Sequence, residues 1–281
     1  MEVETISEQL LFTTAYIQST FPRSQTASTG FIYLTTSNLG NHLFLVTNKH
    51  VVYDDGLGGF ATQIKLKFIT SGADGKPRLG DFTYINFDPF TKTDWFGHPD
   101  PKVDVAIIPL NFRMNALNVS GPNPYFKHLG RDLLFEVGMK PDLDALEEVV
   151  FVGYPNGLFD LANHLPLVRR GITASSVNID FNGLPIFIID AGVYPGSSGS
   201  PVFILDQGWV RDRKGNVAMG SRTILLGIIS RTYHRTTQAA VEEATVSLTA
   251  TVEEIIGLGI VVKARCIDET VQAYLKSMGQ L

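Results

Sequence analysis

The sequence has a single cysteine, no excess of basic residues and no long hydrophobic run. With Cys266 alone among 281 residues, an intramolecular disulfide and a zinc site of several cysteines are excluded. No apolar run approaches the roughly 20 residues that cross a bilayer. The 23 basic and 28 acidic residues give a net charge of −5, which provides no electrostatic footprint for nucleic acid. We therefore expect neither a nucleic acid nor a membrane as partner.

Residues 1–16 lack the basic region and the apolar stretch of a cleaved secretory signal. Disulfides are characteristic of oxidising compartments, so a chain with one cysteine fits a reducing one. We therefore expect a cytoplasmic protein.

Short runs of β-branched and aromatic residues, separated by Gly, Pro, Asn and Asp turns, dominate the sequence. Regularly spaced runs of this kind favour an all-β barrel or sandwich over alternating β-α-β units. Hydrophobic residues make up 44% of the chain, which is enough for a sizeable core. Near the end, five apolar residues share one helical face and predict a C-terminal helix: Ile267, Val271, Tyr274, Leu275 and Met278.

The stretch 111–147 is turn-rich and divides two strand-rich halves, so we interpret it as an interdomain connection. Three other turn-rich segments are predicted as long loops, namely 72–103, 206–221 and 232–254.

The segment most informative about chemistry is 190–203, which contains Gly-Ser-Ser-Gly-Ser-Pro at residues 196–201. A serine nucleophile needs an exposed hydroxyl on a tight turn, with backbone amides converging on the developing oxyanion. Ser198 lies between Gly196 and Gly199, where the missing Cβ atoms permit a close approach. Taken alone, the segment also fits an ordinary Gly/Ser turn.

Two further residues are candidates for the base and the acid that a serine nucleophile requires. His50 follows a strand directly and could be a general base, although a histidine at a strand end is also ordinary. Asp104 leads into an apolar strand, and it is either a solvated turn acid or a buried carboxylate that fixes the histidine tautomer. His98 is closer to Asp104 in sequence, but its turn-rich surroundings make it the weaker candidate base. No metal is expected, because no His, Cys and acid cluster has recognisable ligand spacing.

Blocks around these residues resemble the trypsin-like serine peptidases of the chymotrypsin fold. The first blocks occur in the family's order, at residues 29–31, 47–52, 104–110 and 195–203. Further similar blocks follow at residues 152–157, 170–174, 226–230 and 259–262. The chain most resembles bacterial HtrA/Deg-like and glutamyl-endopeptidase-like members, and we expect it to lack a PDZ domain. Its lone cysteine favours the bacterial or intracellular branch of a family that often carries disulfides outside the cell.

The resemblance implies two six-stranded antiparallel β-barrels that end in a C-terminal α-helix. The first barrel would span residues 1–125 and carry His50 and Asp104. The second would span residues 126–281 and carry Ser198. Together they would form one peptidase unit, with the catalytic groups meeting between the barrels.

The same resemblance implies a serine endopeptidase that needs no cofactor. Ser198 would attack the peptide carbonyl, His50 would transfer the proton, and Asp104 would orient His50. The backbone amides of Gly196 and Ser198 would form the oxyanion hole.

The resemblance implies that the substrate is a protein or a peptide. It also bears on which residue precedes the cleaved bond. Gly192 stands where relatives that cleave after Lys or Arg carry an acid. The strand with Ser230 and Arg231 lacks the pocket histidine of glutamyl endopeptidases. Val193 and Gly259 would leave an apolar slot, so we expect a small or medium aliphatic residue at the cleaved position.

Several alternatives stay open at this point. Digestive relatives carry an acid directly before the nucleophile and use it for activation, whereas this chain has Ser197 at that position. The difference suggests that the active-site loop, residues 190–200, is gated. An activating partner is a hypothesis. A catalytically idle peptide-binding or scaffold protein would keep the same barrels, and an esterase could use the same triad. An α/β-hydrolase is disfavoured because its order is Ser, acid, His. The sequence leaves the oligomeric state open.

Overall fold

The N-terminal half is built on one large sheet and the C-terminal half on a closed barrel. The computed structural model describes residues 1–111, 122–138, 143–243 and 246–280, and of residues 234–255 it describes only the backbone. The predicted connection at 111–147 lies partly outside these residues.

In the described part of the N-terminal half there are six long strands and four short ones. In chain order its elements are α1 (Ile6–Leu10), β1 (Thr14–Thr20), β2 (Gln25–Ser37), β3 (Gly40–Thr47), α2 (Lys49–Val52), β4 (Tyr53–Asp54), β5 (Gly59–Phe60), β6 (Gln63–Ser71), β7 (Pro77–Phe87), β8 (Phe96–Gly97), β9 (Ala106–Pro109) and β10 (Leu129–Gly130). The main sheet has the order β7-β6-β1-β2-β3-β9-β8, and β10 pairs with β2. The two-residue strands β8 and β10 thus add to the six strands expected for this half.

The C-terminal half closes into a six-stranded barrel. Its elements are β11 (Glu148–Gly153), β12 (Leu167–Thr173), β13 (Ile186–Asp190), β14 (Pro201–Asp206), β15 (Trp209–Arg211), β16 (Val217–Met219), β17 (Arg222–Glu243), β18 (Val246–Lys263) and α3 (Arg265–Ser277). The barrel has the order β11-β12-β13-β18-β17-β14. The predicted all-β class and the predicted C-terminal helix are confirmed.

The three predicted long loops contain strands. Strand β7 lies within 72–103, and the hairpin of β15 and β16 lies within 206–221. The largest error concerns 232–254, where β17 and β18 remain paired from Thr232↔Gly259 to Glu243↔Val246. Threonine and valine recur in this segment and favour strands.

Strands β2, β3 and β9 are buried on both faces because they separate two cores. Successive side chains of a strand point to opposite faces. In β3, Leu45 packs in the core of the N-terminal sheet, whereas Phe44 and Val46 belong to a core shared with the barrel and α3. The ring of Phe44 lies 5.6 Å from that of Tyr274 in α3. The N-terminal sheet and the C-terminal helix are therefore packed as one body along these strands.

Candidate active site

His50 and Asp104 come together because they flank paired strands. Strand β3 ends just before His50, β9 begins just after Asp104, and the two strands pair antiparallel. Nδ1 of His50 lies 2.8 Å from Oδ2 of Asp104, and the His50 backbone amide donates to Oδ1 at 3.3 Å. Because an ionised carboxylate only accepts, Nδ1 carries the proton and Nε2 keeps a free lone pair. This tautomer is the one that a general base requires.

Asp104 stays ionised although its side chain is only 13% exposed. Burial alone would raise the pKa of this carboxyl, but the hydrogen bonds and charge of His50, together with the hydroxyl of Ser230, lower it to about 2. The Ser230 hydroxyl donates to Oδ2 at 2.6 Å. Ser230, predicted to bind substrate, thus also contacts the acid. Its sequence context gave no signal for that contact, because the two residues are far apart in the chain.

Ser198 lies on the turn that leads into β14, beside the His50–Asp104 pair. Its hydroxyl donates to the Ser230 carbonyl at 3.0 Å. Among the described hydrogen bonds there is none between Ser198 and His50, and both residues line one cleft of about 250 Å³. Catalytic hydrogen bonds are often long or misaligned without substrate. The structure therefore places His50 and Ser198 in one cleft. Asp104 is bonded to His50, and the serine hydroxyl is turned to Ser230.

The predicted oxyanion amides have no competing acceptor. Within the described part of the chain, neither the Gly196 nor the Ser198 backbone N–H donates a hydrogen bond. The Pro195 carbonyl accepts from the Asn156 amide at 2.5 Å. Because a trans peptide sets its C=O and N–H on opposite sides, this bond turns the Gly196 N–H away from Asn156. The two amides are thus available to an anion.

Gly199 has no room for a side chain. Its φ of +88° is left-handed, and a Cβ there would lie 1.7 Å from the Thr29 carbonyl oxygen. We expect Gly199→Ala to lower the free energy of unfolding by about 3 kcal/mol, because the turn and β2 must separate. Urea denaturation measures this loss.

Gly208→Ala is the matched control, since Gly208 has a φ of +85° with nothing within 4 Å of the added Cβ. Gly208→Ala should lower the free energy of unfolding by only about 1 kcal/mol, which is the cost of a left-handed backbone at a residue with a side chain. Equal losses in the two variants would contradict the steric explanation.

The predicted specificity residues do not all line the cleft. Val193, Ser230 and Arg231 line it. Gly259 lies behind Val193, since a Cβ on Gly259 would be 2.5 Å from Val193 Cγ2. A Cβ on Gly192 would meet the Arg169 guanidinium at 2.6 Å, so Gly192 contacts a basic residue outside the cleft.

One cluster has the residue types of a metal site. His98, Cys266 and Glu269 place their ligand atoms within 4.8 Å of one another. The Asp100 amide donates to His98 Nδ1 at 3.0 Å, so the ring proton lies on Nε2 and is donated to Glu269, 3.0 Å away. A metal would need that nitrogen deprotonated. The contacts therefore describe a hydrogen-bonded pair beside a buried thiol, in which the His98 ring contacts Glu269 and the Asp100 amide.

The sequence is similar to one known family over most of its length. Residues 28–210 match the family described as Trypsin-like peptidase domain. No curated protein sequence matches the chain significantly. Among the described residues, no helix is both long and apolar enough to span a membrane.

Solved structures similar to the chain include several proteases. Protease Anisep from Arthrobacter nicotinovorans has 15% identity and a TM-score of 0.48, with 94% of this chain and 96% of that chain covered. The serine endoprotease from Yersinia pestis has 14% identity and a TM-score of 0.47, with coverages of 98% and 68%. The scabies mite inactivated protease paralogue S-I1 has 15% identity and a TM-score of 0.48, with both chains covered to 98%.

Proposed function

Since the chain belongs to the trypsin-like peptidase family, we propose that it is a serine endopeptidase acting through Ser198, His50 and Asp104. The observation that supports this most is the hydrogen bond of His50 Nδ1 to a buried, ionised Asp104 at the cleft that holds Ser198. That bond fixes the tautomer in which His50 can accept a proton. The substrate of this proposed activity is a protein or a peptide.

The reaction follows from these contacts. Ser198 Oγ attacks the scissile carbonyl while His50 Nε2 takes its proton. The amides of Gly196 and Ser198 bind the oxyanion of the tetrahedral intermediate. Protonated His50 then donates to the leaving amine, which leaves an acyl-enzyme that water hydrolyses by the same steps. Asp104 stabilises the imidazolium throughout, because its low pKa keeps it charged at neutral pH.

We propose a small or medium aliphatic residue at the cleaved position. Val193 is only 2% exposed and packs on Gly259, so its side chain occupies space behind the cleft. We infer from this that the pocket is shallow, and none of the described residues that line the cleft is acidic. A shallow apolar pocket excludes long or aromatic side chains by overlap.

Val193→Ala should deepen this pocket. We expect the ratio of kcat/KM for a leucine or phenylalanine substrate to that for an alanine substrate to rise about tenfold, because a few methylenes change binding by that much. A peptide library that varies the cleaved position measures the ratio.

Val149→Ala is the control, because Val149 is equally buried in the barrel and does not line the cleft. It should leave the preference unchanged. An unchanged preference in Val193→Ala would contradict the proposed pocket, as would strict Arg or Glu preference in the wild type.

Active-site titration with a fluorophosphonate probe tests the proposed activity. We expect one equivalent of label per chain and hydrolysis of casein or peptides. A wild-type protein that is not labelled would be an idle binding member of the family. Labelling with hydrolysis of simple esters but not of peptides would indicate an esterase.

In digestive relatives a freed N-terminus pairs with an acid that directly precedes the nucleophile. This chain has Ser197 at that position, so the acid that such activation requires is missing there. Ser197 is buried, and its amide donates to the Tyr194 carbonyl at 3.0 Å. We propose that any control of activity acts through contacts to the active-site loop, including those of an activating partner.

A further inference from the structure

Thr29 joins the N-terminal sheet to the active-site loop through its backbone and its side chain. It lies in β2 and is fully buried. Its amide donates to the Ser198 carbonyl at 2.8 Å, and its hydroxyl donates to the Gly196 carbonyl at 2.9 Å. We propose that the Thr29 hydroxyl is a positioning group for the oxyanion hole, holding Gly196 and Ser198 so that their amides converge. This inference rests on the proposed peptidase function.

The direction of each hydrogen bond is fixed by chemistry. The Tyr154 amide lies 3.1 Å from Thr29 Oγ1 and can only donate to it. The hydroxyl has a single proton, and the Gly196 carbonyl can only accept that proton. The Thr29 hydroxyl therefore bridges the Tyr154 amide and the Gly196 carbonyl. An apolar side chain at this position could bond to neither group.

This link restrains the peptide planes on both sides of the Gly196 Cα. The plane before it is held by the bond from the Asn156 amide to the Pro195 carbonyl. The plane after it is held by the Thr29 hydroxyl at the Gly196 carbonyl. Gly196 has a φ of +87°, a conformation that glycine leaves easily. With both carbonyls bonded, neither plane can rotate without breaking a hydrogen bond, and the Gly196 N–H keeps its direction.

The packing around Thr29 shows how closely the two halves approach. A Cβ on Gly153 would lie 2.7 Å from Thr29 Oγ1, and a Cβ on Gly199 would overlap the Thr29 carbonyl. Thr47 Oγ1 donates to that carbonyl at 2.9 Å. The two glycines thus leave space for Thr29, and Thr47 fixes its carbonyl. The fold therefore determines where the Thr29 hydroxyl lies.

Thr29→Val and Thr29→Ser test the proposal. Valine has the shape of threonine but leaves the Tyr154 amide and the Gly196 carbonyl without their partner. We expect Thr29→Val to lower kcat by about 10- to 100-fold with little change in KM, which is less than the loss of an oxyanion donor itself. Thr29→Ser keeps the hydroxyl and should restore kcat to within about threefold of the wild type.

Thr173→Val is a matched control. The Thr173 hydroxyl is also buried, accepts from the Glu147 amide at 2.9 Å and donates to the Ala145 carbonyl at 3.2 Å. This variant loses the same two kinds of bond away from the active-site loop, so its kcat should stay unchanged. The proposal is overturned if folded Thr29→Val keeps the wild-type kcat, or if Thr173→Val lowers kcat equally.

A second measurement does not depend on catalysis. Amide resonances of Gly196 and Ser198 should shift in Thr29→Val and remain near their wild-type positions in Thr29→Ser and Thr173→Val. Unchanged resonances in Thr29→Val would overturn the inference. If the wild type fails to react with fluorophosphonate, the proposed function is wrong, and these resonances alone decide whether Thr29 holds the loop.

Discussion

Ser198→Ala is expected to abolish turnover and fluorophosphonate labelling, with kcat reduced by about 10⁴-fold or more. The size of the loss follows from the cooperation of the triad, because His50 has no proton to accept once the hydroxyl is gone. The side chain contributes one neutral hydrogen bond, to the Ser230 carbonyl, so folding should be nearly unaffected. Peptide hydrolysis and probe labelling measure the two effects.

Ser200→Ala is the control for this variant. Ser200 is buried two residues further along the same turn, and its hydroxyl has no hydrogen-bond partner among the described residues. We expect its labelling and turnover to remain close to wild type. Labelling that survives in Ser198→Ala would assign the nucleophile elsewhere.

Asp104→Asn is expected to lower kcat by about 10⁴-fold while leaving the fold intact. The asparagine amide can donate to His50 Nδ1, which moves the ring proton to Nε2 and removes the lone pair that should accept the serine proton. Asp100→Asn is the control in the same segment, because the Asp100 carboxylate accepts from the Lys102 amide at 2.8 Å and, among the described hydrogen bonds, makes none to His50. Wild-type turnover in Asp104→Asn would refute the assigned role.

The Asp104 carboxyl also predicts a dependence of stability on pH. Its pKa is about 2 in the folded chain and 3.8 ordinarily, so its stabilising contribution is complete above pH 4 or so and is lost as the pH falls through 2. The contribution is about 2 kcal/mol. Between pH 5 and pH 2 the wild type should lose that much more unfolding free energy than Asp104→Asn in urea titrations. A constant difference between the two proteins would contradict the assignment.

Sequence motifs predicted that Ser198, His50 and Asp104 act together, because the chemistry of a nucleophile, a base and an acid restricts the residue types. A nucleophile on a tight turn requires glycines around Ser198, and the strands beside His50 and Asp104 are apolar because they are buried on both faces. The C-terminal helix was predictable for a similar reason, since α3 buries one regular face against both halves.

The contacts that the sequence did not reveal are those made between distant segments. Ser230 reaches Asp104 across 126 residues, and Thr29 reaches Gly196 across 167. A serine or a threonine in a strand has the same local pattern whether its hydroxyl meets solvent or another segment.

The position of α3 has a consequence for biosynthesis. This helix is among the last described segments to leave the ribosome, yet Ile267, Val271 and Leu275 complete the core that backs β3 and β9, the strands that position His50 and Asp104. Domains fold as units once their chain is available. A nascent chain that already contains His50, Asp104 and Ser198 still lacks this packing, so we expect the proposed site to be fully positioned only after translation has passed residue 277.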